Sequence, residues 1–303
     1  MSRAWCCRVL RAFVVTALVV GCGPTSVRQP LPDLVVVQRP EDPASVAFRE
    51  RTALLRATLA RSNIALDATA GTIDTCETPT DGCIRCEVAT GMDGVDPDLI
   101  DRIAIAIALY PPKVLDASVI SHVALCRRLR THGKLVGADD SPQGVADPNT
   151  RRLMVSVEAF VGQHDPGAYS VEQIVHHELF HLFDPSPRGE DTEWTALQPP
   201  GFEYRDPAPR DGIRPAGFVN RYSTTNDRED RASVFEYLMS HADRLCQYAK
   251  ADPIVAEKAK MVWRRMASVG GDAFLRRQAP CIDWVEIGPR PAKPRLRMRA
   301  TAR

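Results

Sequence analysis

Val175-His176-His177-Glu178-Leu179-Phe180-His181 carries the pattern His-Glu-x-x-His inside a segment that reads as a helix. Residues four apart on a helix lie one turn apart on the same face, so His177 and His181 aim two imidazoles at one point, with the Glu178 carboxylate beside them. Two neutral imidazoles make half of a tetrahedral zinc site, and the adjacent carboxylate can take a proton from water held there. The flanks frame the helix. Ser170 with Gln173 completes a capping box, Val171, Ile174, Val175, Leu179 and Leu182 supply apolar positions, and Asp184-Pro185 stops it. The segment is a bounded helix of about four turns; a core helix with surface histidines is the plain alternative. His176 lies about 100° around the helix from His177 and is expected at the surface or behind a ligand. His122, His132, His164 and His241 have no partner at ligand spacing.

A catalytic zinc needs a third protein ligand and one open position. Glu229 is the candidate, in the first turn of a helix opened by Asn226 or Asp227 and running to about Ala242, with Ala232, Phe235, Leu238 and Met239 on its buried side. A glutamate there also suits helix capping and the helix dipole. Local features leave ligand and cap evenly matched, with Asp230, Glu236, Asp184 and Glu190 as rival ligands.

The ends of the chain bear on location. Arg3, Arg8 and Arg11 precede an apolar run from Ala12 to Val20, too short for a permanent membrane helix, and the stretch reads as a signal peptide. Val19-Val20-Gly21-Cys22 resembles a bacterial lipobox, with Cys22 as the lipidated residue; ordinary secretion is the alternative. Gly23 in place of an aspartate points, by sorting rules, to the outer membrane. Residues 1–21 are thus expected to be a lipoprotein signal peptide and 22–43, with Pro24, Pro30, Pro32, Pro40 and Pro43, an extended tether. Residues 44–282 are expected to form the folded domain, and 283–303, with Arg290, Lys293, Arg295, Arg297, Arg299 and Arg303, a disordered basic tail. A formal charge of +1, from 39 basic and 38 acidic residues, suggests no nucleic-acid surface. Cys76, Cys83, Cys86, Cys126, Cys246 and Cys281 form an even set that suggests disulfides in an exported protein, without choosing the pairing. Cys83-Ile84-Arg85-Cys86 has zinc or redox spacing but no second pair, and reads as structural.

Between these ends the pattern predicts a helix from Glu41 to Leu66, a stapled loop from Gly71 to Asp96, and a helix from Pro97 to Leu109 that Pro111-Pro112 stops. Strands are predicted at Val119 to Leu125 and Arg152 to Val157, with a turn-rich loop at Gly133 to Asn149 between them. A short helix is predicted at Asp191 to Leu197, and a last one at Pro253 to Val269. The fold class is α+β, mainly helical with a small sheet.

Tyr222-Ser223-Thr224-Thr225-Asn226-Asp227-Arg228-Glu229, followed by Ala232, Phe235, Leu238 and Met239, resembles the third-ligand segment of the anthrax lethal factor family of zinc metallopeptidases. Tyr222 and Glu229 stand at that family's tyrosine-to-ligand spacing. The helix ending in Pro-Pro, the following strand, Gly144-Val145-Ala146-Asp147-Pro148, an edge strand and His-His-Glu-Leu-Phe-His are similar to its catalytic domain. Glu193-Trp194 with Gly201-Phe202-Glu203-Tyr204 is similar to related zinc-peptidase-like lipoproteins. The likeness covers about residues 98–245. It implies a zincin-like domain of gluzincin type, one Zn²⁺ per chain held by His177, His181 and Glu229, Glu178 as general base, and Tyr222 at the rim donating a hydrogen bond. It also implies an extended substrate along strand Arg152 to Val157, if that strand is the sheet edge. The chain departs from the family at Ser233, where the family has another glutamate. Positions 229, 233 and 236 share a helical face, so Ser233 or Glu236 is expected to support a ligand histidine from behind.

The leading reading is a lipid-anchored zinc endopeptidase acting on peptide or protein in the bacterial envelope. A degenerate peptidase fold used as a binding or scaffolding lipoprotein is the alternative from another class, and an amidase acting on cell-wall peptide would use the same chemistry. The sequence assigns no oligomeric state.

Overall fold

The computed structural model describes residues 42–67, 70–76, 83–91, 95–117, 120–131, 142–160, 169–184, 186, 191–204 and 213–279. The expected signal peptide, Cys22, almost all of the tether, Cys281, Glu190, His132, His164 and the basic tail lie outside the described residues. Among the described residues no helix is long and apolar enough to cross a membrane.

The chain begins with helix α1 (Pro43–Arg51), capped by Asp42, and helix α2 (Ala53–Ala60), which meet at Thr52. The single helix expected from Glu41 to Leu66 is therefore broken, and its end is strand β1 (Ala65–Asp67). The stretch expected to be a loop holds strands β2 (Thr72–Asp74) and β3 (Ile84–Val88), which pair antiparallel. Cys76–Cys83 closes their connection and Cys86–Cys126 ties β3 to its neighbour, so the Cys-x-x-Cys pair belongs to two separate structural disulfides. Cys246 is disulfide-bonded as well.

Helix α3 (Pro97–Ala108) follows Asp96, whose side chain accepts from the Asp98 N–H, with proline at the first helical position where its missing donor costs nothing. The second of the two prolines that stop α3 opens a further short helix, α4 (Pro112–Ala117). Strand β4 (His122–Thr131) starts later and runs longer than its apolar run suggests. The charged half survives as strand because its guanidiniums find carboxylates: Arg128 pairs with Glu158 at 2.6 Å and Arg130 with Glu87 at 3.4 Å. Strand β5 (Gly144–Asp147) lies inside the expected loop, and β6 (Arg152–Ser156) follows.

The sheet runs β2-β3-β4-β6-β5, with β1 parallel to β4 beside β3. β6 is parallel to β4 and antiparallel to β5. β6 is thus interior and β5 is the edge, which corrects the expectation that Arg152 to Val157 borders the cleft. Alternation divides the strands between two cores. Val123, Leu125, Leu153 and Val155 face the large helical core, whereas Ala124, Cys126 and Met154 face a smaller cluster around the Cys86–Cys126 bridge.

Helix α5 (Val171–Phe183) packs on the large face with both hydrogen bonds of its N-terminal capping box formed. Arg102 of α3 grips Glu172 through two hydrogen bonds, one of 2.6 Å. Helix α6 (Thr192–Thr195) is one turn; α7 (Asp227–Ser240) lies against α5; α8 (Ala242–Ala251), α9 (Pro253–Gly270) and α10 (Asp272–Gln278) complete the helical layer. The structure is mixed α and β, with about ten helices and a small sheet among the described residues.

Gly144 is where the edge strand touches the motif helix. A Cβ there would come within 2.5 Å of Ile174 Cγ2 and 2.8 Å of Glu178 Cγ. Gly144→Ala is expected to force strand and helix apart and cost about 1–3 kcal/mol, the usual range for overpacking. Urea denaturation of variant and parent measures this, and a loss under about 0.5 kcal/mol would show the contact to be soft.

Candidate metal centre

His177 and His181 project from one face of α5, their ring centroids 4.9 Å apart. Glu229 arrives from the first turn of α7, where the alternative role of cap is taken by Asn226, whose side chain accepts the Glu229 N–H at 2.9 Å. The Glu229 carboxylate is thereby left to the histidines. Its Oε2 lies 2.8 Å from His177 Nε2 and 3.4 Å from His181 Nε2. One ligand atom from each of the three residues falls within 4.8 Å of the others. Ligands about 2.1 Å from a tetrahedral zinc stand about 3.4 Å from one another, so this donor set has the right chemistry and close to the right spacing for such an ion.

The electrostatics agree with that donor set. Burial alone would depress the His177 pKa, but hydrogen bonds to Glu229 and Glu236 outweigh it and raise it to about 10. Burial would lift the Glu229 carboxyl, yet the charges and hydrogen bonds of His181 and His177 hold it well below the ordinary range. The carboxylates around His177 make a site that favours positive charge, in which a divalent cation would compete with a proton.

The rival ligands among the described residues are committed elsewhere. Asp184 accepts from Arg231 Nε at 2.7 Å and Asp230 is paired with Lys258 at 2.7 Å. Glu236, fully buried, places Oε2 at 3.1 Å from His177 Nδ1, on the far side of the ring from Glu229. Of the two residues expected to stand behind a histidine, Glu236 does so. Ser233 is also fully buried, and its Oγ has no hydrogen-bond partner among the described residues.

Glu178 is nearly buried, and its Oε2 accepts the Ala146 N–H of edge strand β5 at 3.0 Å. Tyr222 sits in a 3₁₀ turn (Tyr222–Thr224) with its ring 5.8 Å from that of His177. Asn220 holds this turn by accepting the Ser223 N–H and Oγ–H, both at 2.8 Å, and donates to Tyr169 Oη just ahead of α5. Sequence reasoning missed Asn220 and Ala146, because one acts through a turn and the other through its backbone. The expectation that His176 lies at the surface is also corrected. It is buried with Nδ1 2.7 Å from Tyr110 Oη, and burial lowers its pKa to about 3, so it stays neutral.

Arg231 of α7 ties its helix to the end of α5. Nearly enclosed, it bonds Asp184 at the end of α5 and Asp227 at the start of α7, each at 2.7 Å, and reaches Asp191 at 3.3 Å.

Fold and site together define a mixed α/β protein with a candidate three-residue metal centre on two packed helices. No protein-family model and no curated protein matches the chain. Among solved structures, a chain described as "a putative zinc-binding metallo-peptidase from Bacteroides caccae" is similar, with a TM-score of 0.45 and 12% identity over 84% of this chain and 99% of that one.

Proposed function

We propose that this protein is a zinc-dependent endopeptidase. The observation that carries the reading is the convergence of His177 Nε2, His181 Nε2 and Glu229 Oε2 beside the carboxylate of Glu178. A zinc ion held by those three residues would polarise a peptide carbonyl and make water acidic enough to ionise near neutral pH. Glu178 takes the proton from the attacking water and delivers it to the leaving amine. Tyr222 donates its phenolic proton in a hydrogen bond to the oxygen on which negative charge develops. On β5 the Ala146 N–H is already given to Glu178. Backbone groups on the same outward side of this edge strand would pair with an extended substrate. A binding-only descendant of a peptidase would have no use for the base, and Glu236 supplies a buried carboxylate behind His177 in a chain that has Ser233 where the family has glutamate. The lipobox-like segment ending in Cys22 supports anchorage in a bacterial envelope, where protein or cell-wall peptide is the substrate.

Metal analysis tests the reading. Purified full chain should carry close to one zinc, and Glu229→Ala, which removes one of three ligands, should be depleted of it at the same folded yield. Wild-type protein that takes up no zinc at micromolar free ion would refute the proposal.

A further inference from the structure

We propose that Gln173, beyond capping its helix, is the residue that positions Glu236 and through it the His177 imidazole; this rests on the metal-centre reading above. Gln173 is buried and uses both ends of its amide. Its Oε1 accepts the Ser170 N–H at 2.9 Å, and its Nε2 donates to Glu236 Oε1 at 2.9 Å. The amide has one workable orientation, because a backbone N–H can only donate and an ionised carboxylate can only accept. A flipped amide would set donor against donor and acceptor against acceptor. With Oε1 engaged by Gln173, Glu236 turns Oε2 to His177 Nδ1 at 3.1 Å. That carboxylate holds the Nδ1 proton, so a metal that displaces the Nε2 proton would meet the Nε2 lone pair on the side where Glu229 and His181 converge. Hydrogen bonds thus connect the start of the motif helix to a metal ligand on its second turn, across to α7 and back, with the Glu236 carboxylate accepting from Gln173 on one side and from His177 on the other.

A capping box accepts glutamate or glutamine at this position with equal ease. Only glutamine can serve here, because a glutamate would oppose two buried carboxylates. This contrast separates positioning from capping. The full chain, stripped of metal, is titrated with zinc against a chromophoric chelator, and cobalt(II) absorption reports ligand geometry. Gln173→Glu and Gln173→Met are each expected to weaken zinc binding about tenfold or more, the usual effect of losing an outer partner of a ligand histidine, and to change the cobalt spectrum. In a Glu236→Gln background, Gln173→Met should add less than about threefold, because its partner is already altered. Ser170→Ala, which loosens the helix cap but spares the chain, should stay within about threefold of the parent.

Zinc affinity within about threefold of the parent in Gln173→Glu would reduce Gln173 to a cap and overturn the proposal. An undiminished effect of Gln173→Met when Glu236 is already glutamine would overturn it too. One Gln173 variant adds charge and the other removes polarity, so failure of either to fold, seen by circular dichroism, leaves the other to decide. A parent chain with no zinc affinity would end the metal-centre reading and this proposal together, whereas normal affinity in the parent and in both Gln173 variants ends only the latter.

Discussion

Glu178→Gln is expected to keep its zinc and to lose about 10²–10⁴-fold in peptide hydrolysis, the range that general base catalysis supplies. The substitution is close to isosteric. A glutamine at 178 can still accept the Ala146 N–H that meets the native carboxylate at 3.0 Å, so the edge strand should keep its place against α5. It cannot take up a proton from water or return one to the leaving amine. His177, His181 and Glu229 are untouched, and metal content therefore reports whether the site survived. The assay is turnover of an accepted peptide, found by screening a peptide library with the parent protein, at matched zinc occupancy. A drop below about tenfold would remove Glu178 from the role of base and reopen the assignment. Full activity loss accompanied by zinc loss would instead identify Glu178 as a structural support of the ligands.

The parts of this site that could be read in the chain are those whose geometry is local. Four-residue spacing on a helix puts His177 and His181 together whatever else the protein does, and Ser170, Gln173 and Asp184 mark the helix ends through bonds spanning three or four residues. Asn226 capping α7 is of the same kind, although choosing Glu229 over Asp230 or Glu236 as ligand needed the family likeness before the structure gave each rival its own partner. The misread elements are those defined by distant pairing. β5 has four residues in a run rich in Gly, Asp and Pro, and it is a strand because it pairs with β6 and fits, through the missing side chain of Gly144, against Glu178. β4 continues through arginines because Glu87 and Glu158 lie in neighbouring elements. His176 is interior because Tyr110, far away in sequence, offers its hydroxyl. None of these partners leaves a periodic trace, since long-range contacts override local propensity.

Asp230→Ala is expected to destabilise the protein by about 3–5 kcal/mol, the cost of leaving a buried charge without its counterion. Asp230 and Lys258 are both fully buried and meet at 2.7 Å. Desolvation pushes the Asp230 carboxyl up and the Lys258 ammonium down, each toward neutrality, while their mutual attraction opposes both shifts. The pair sits in a polar cage. Trp194 Nε1 and Tyr204 Oη donate to Asp230 Oδ2 at 3.0 and 2.9 Å, and Lys258 Nζ donates to Gln198 Oε1 at 3.0 Å and to the Gly217 carbonyl at 2.8 Å. Removing the carboxylate strands an ammonium 3.9 Å from the centroid of the Phe218 ring, with two neutral acceptors in place of a counterion. Urea denaturation of metal-free protein measures the loss, and a cost under about 1 kcal/mol would mean that water reaches the pair in solution. The double variant Asp230→Leu/Lys258→Met separates charge from packing, and should be more stable than Asp230→Ala because no unpaired charge remains. Metal affinity follows from the same geometry. Asp230 is the neighbour of Glu229 on the first turn of α7, and Lys258 belongs to α9, so this ion pair anchors the turn that carries the third ligand to the helix behind it. A variant that frees that turn should therefore bind zinc more weakly than the parent while its two histidines remain in register on α5.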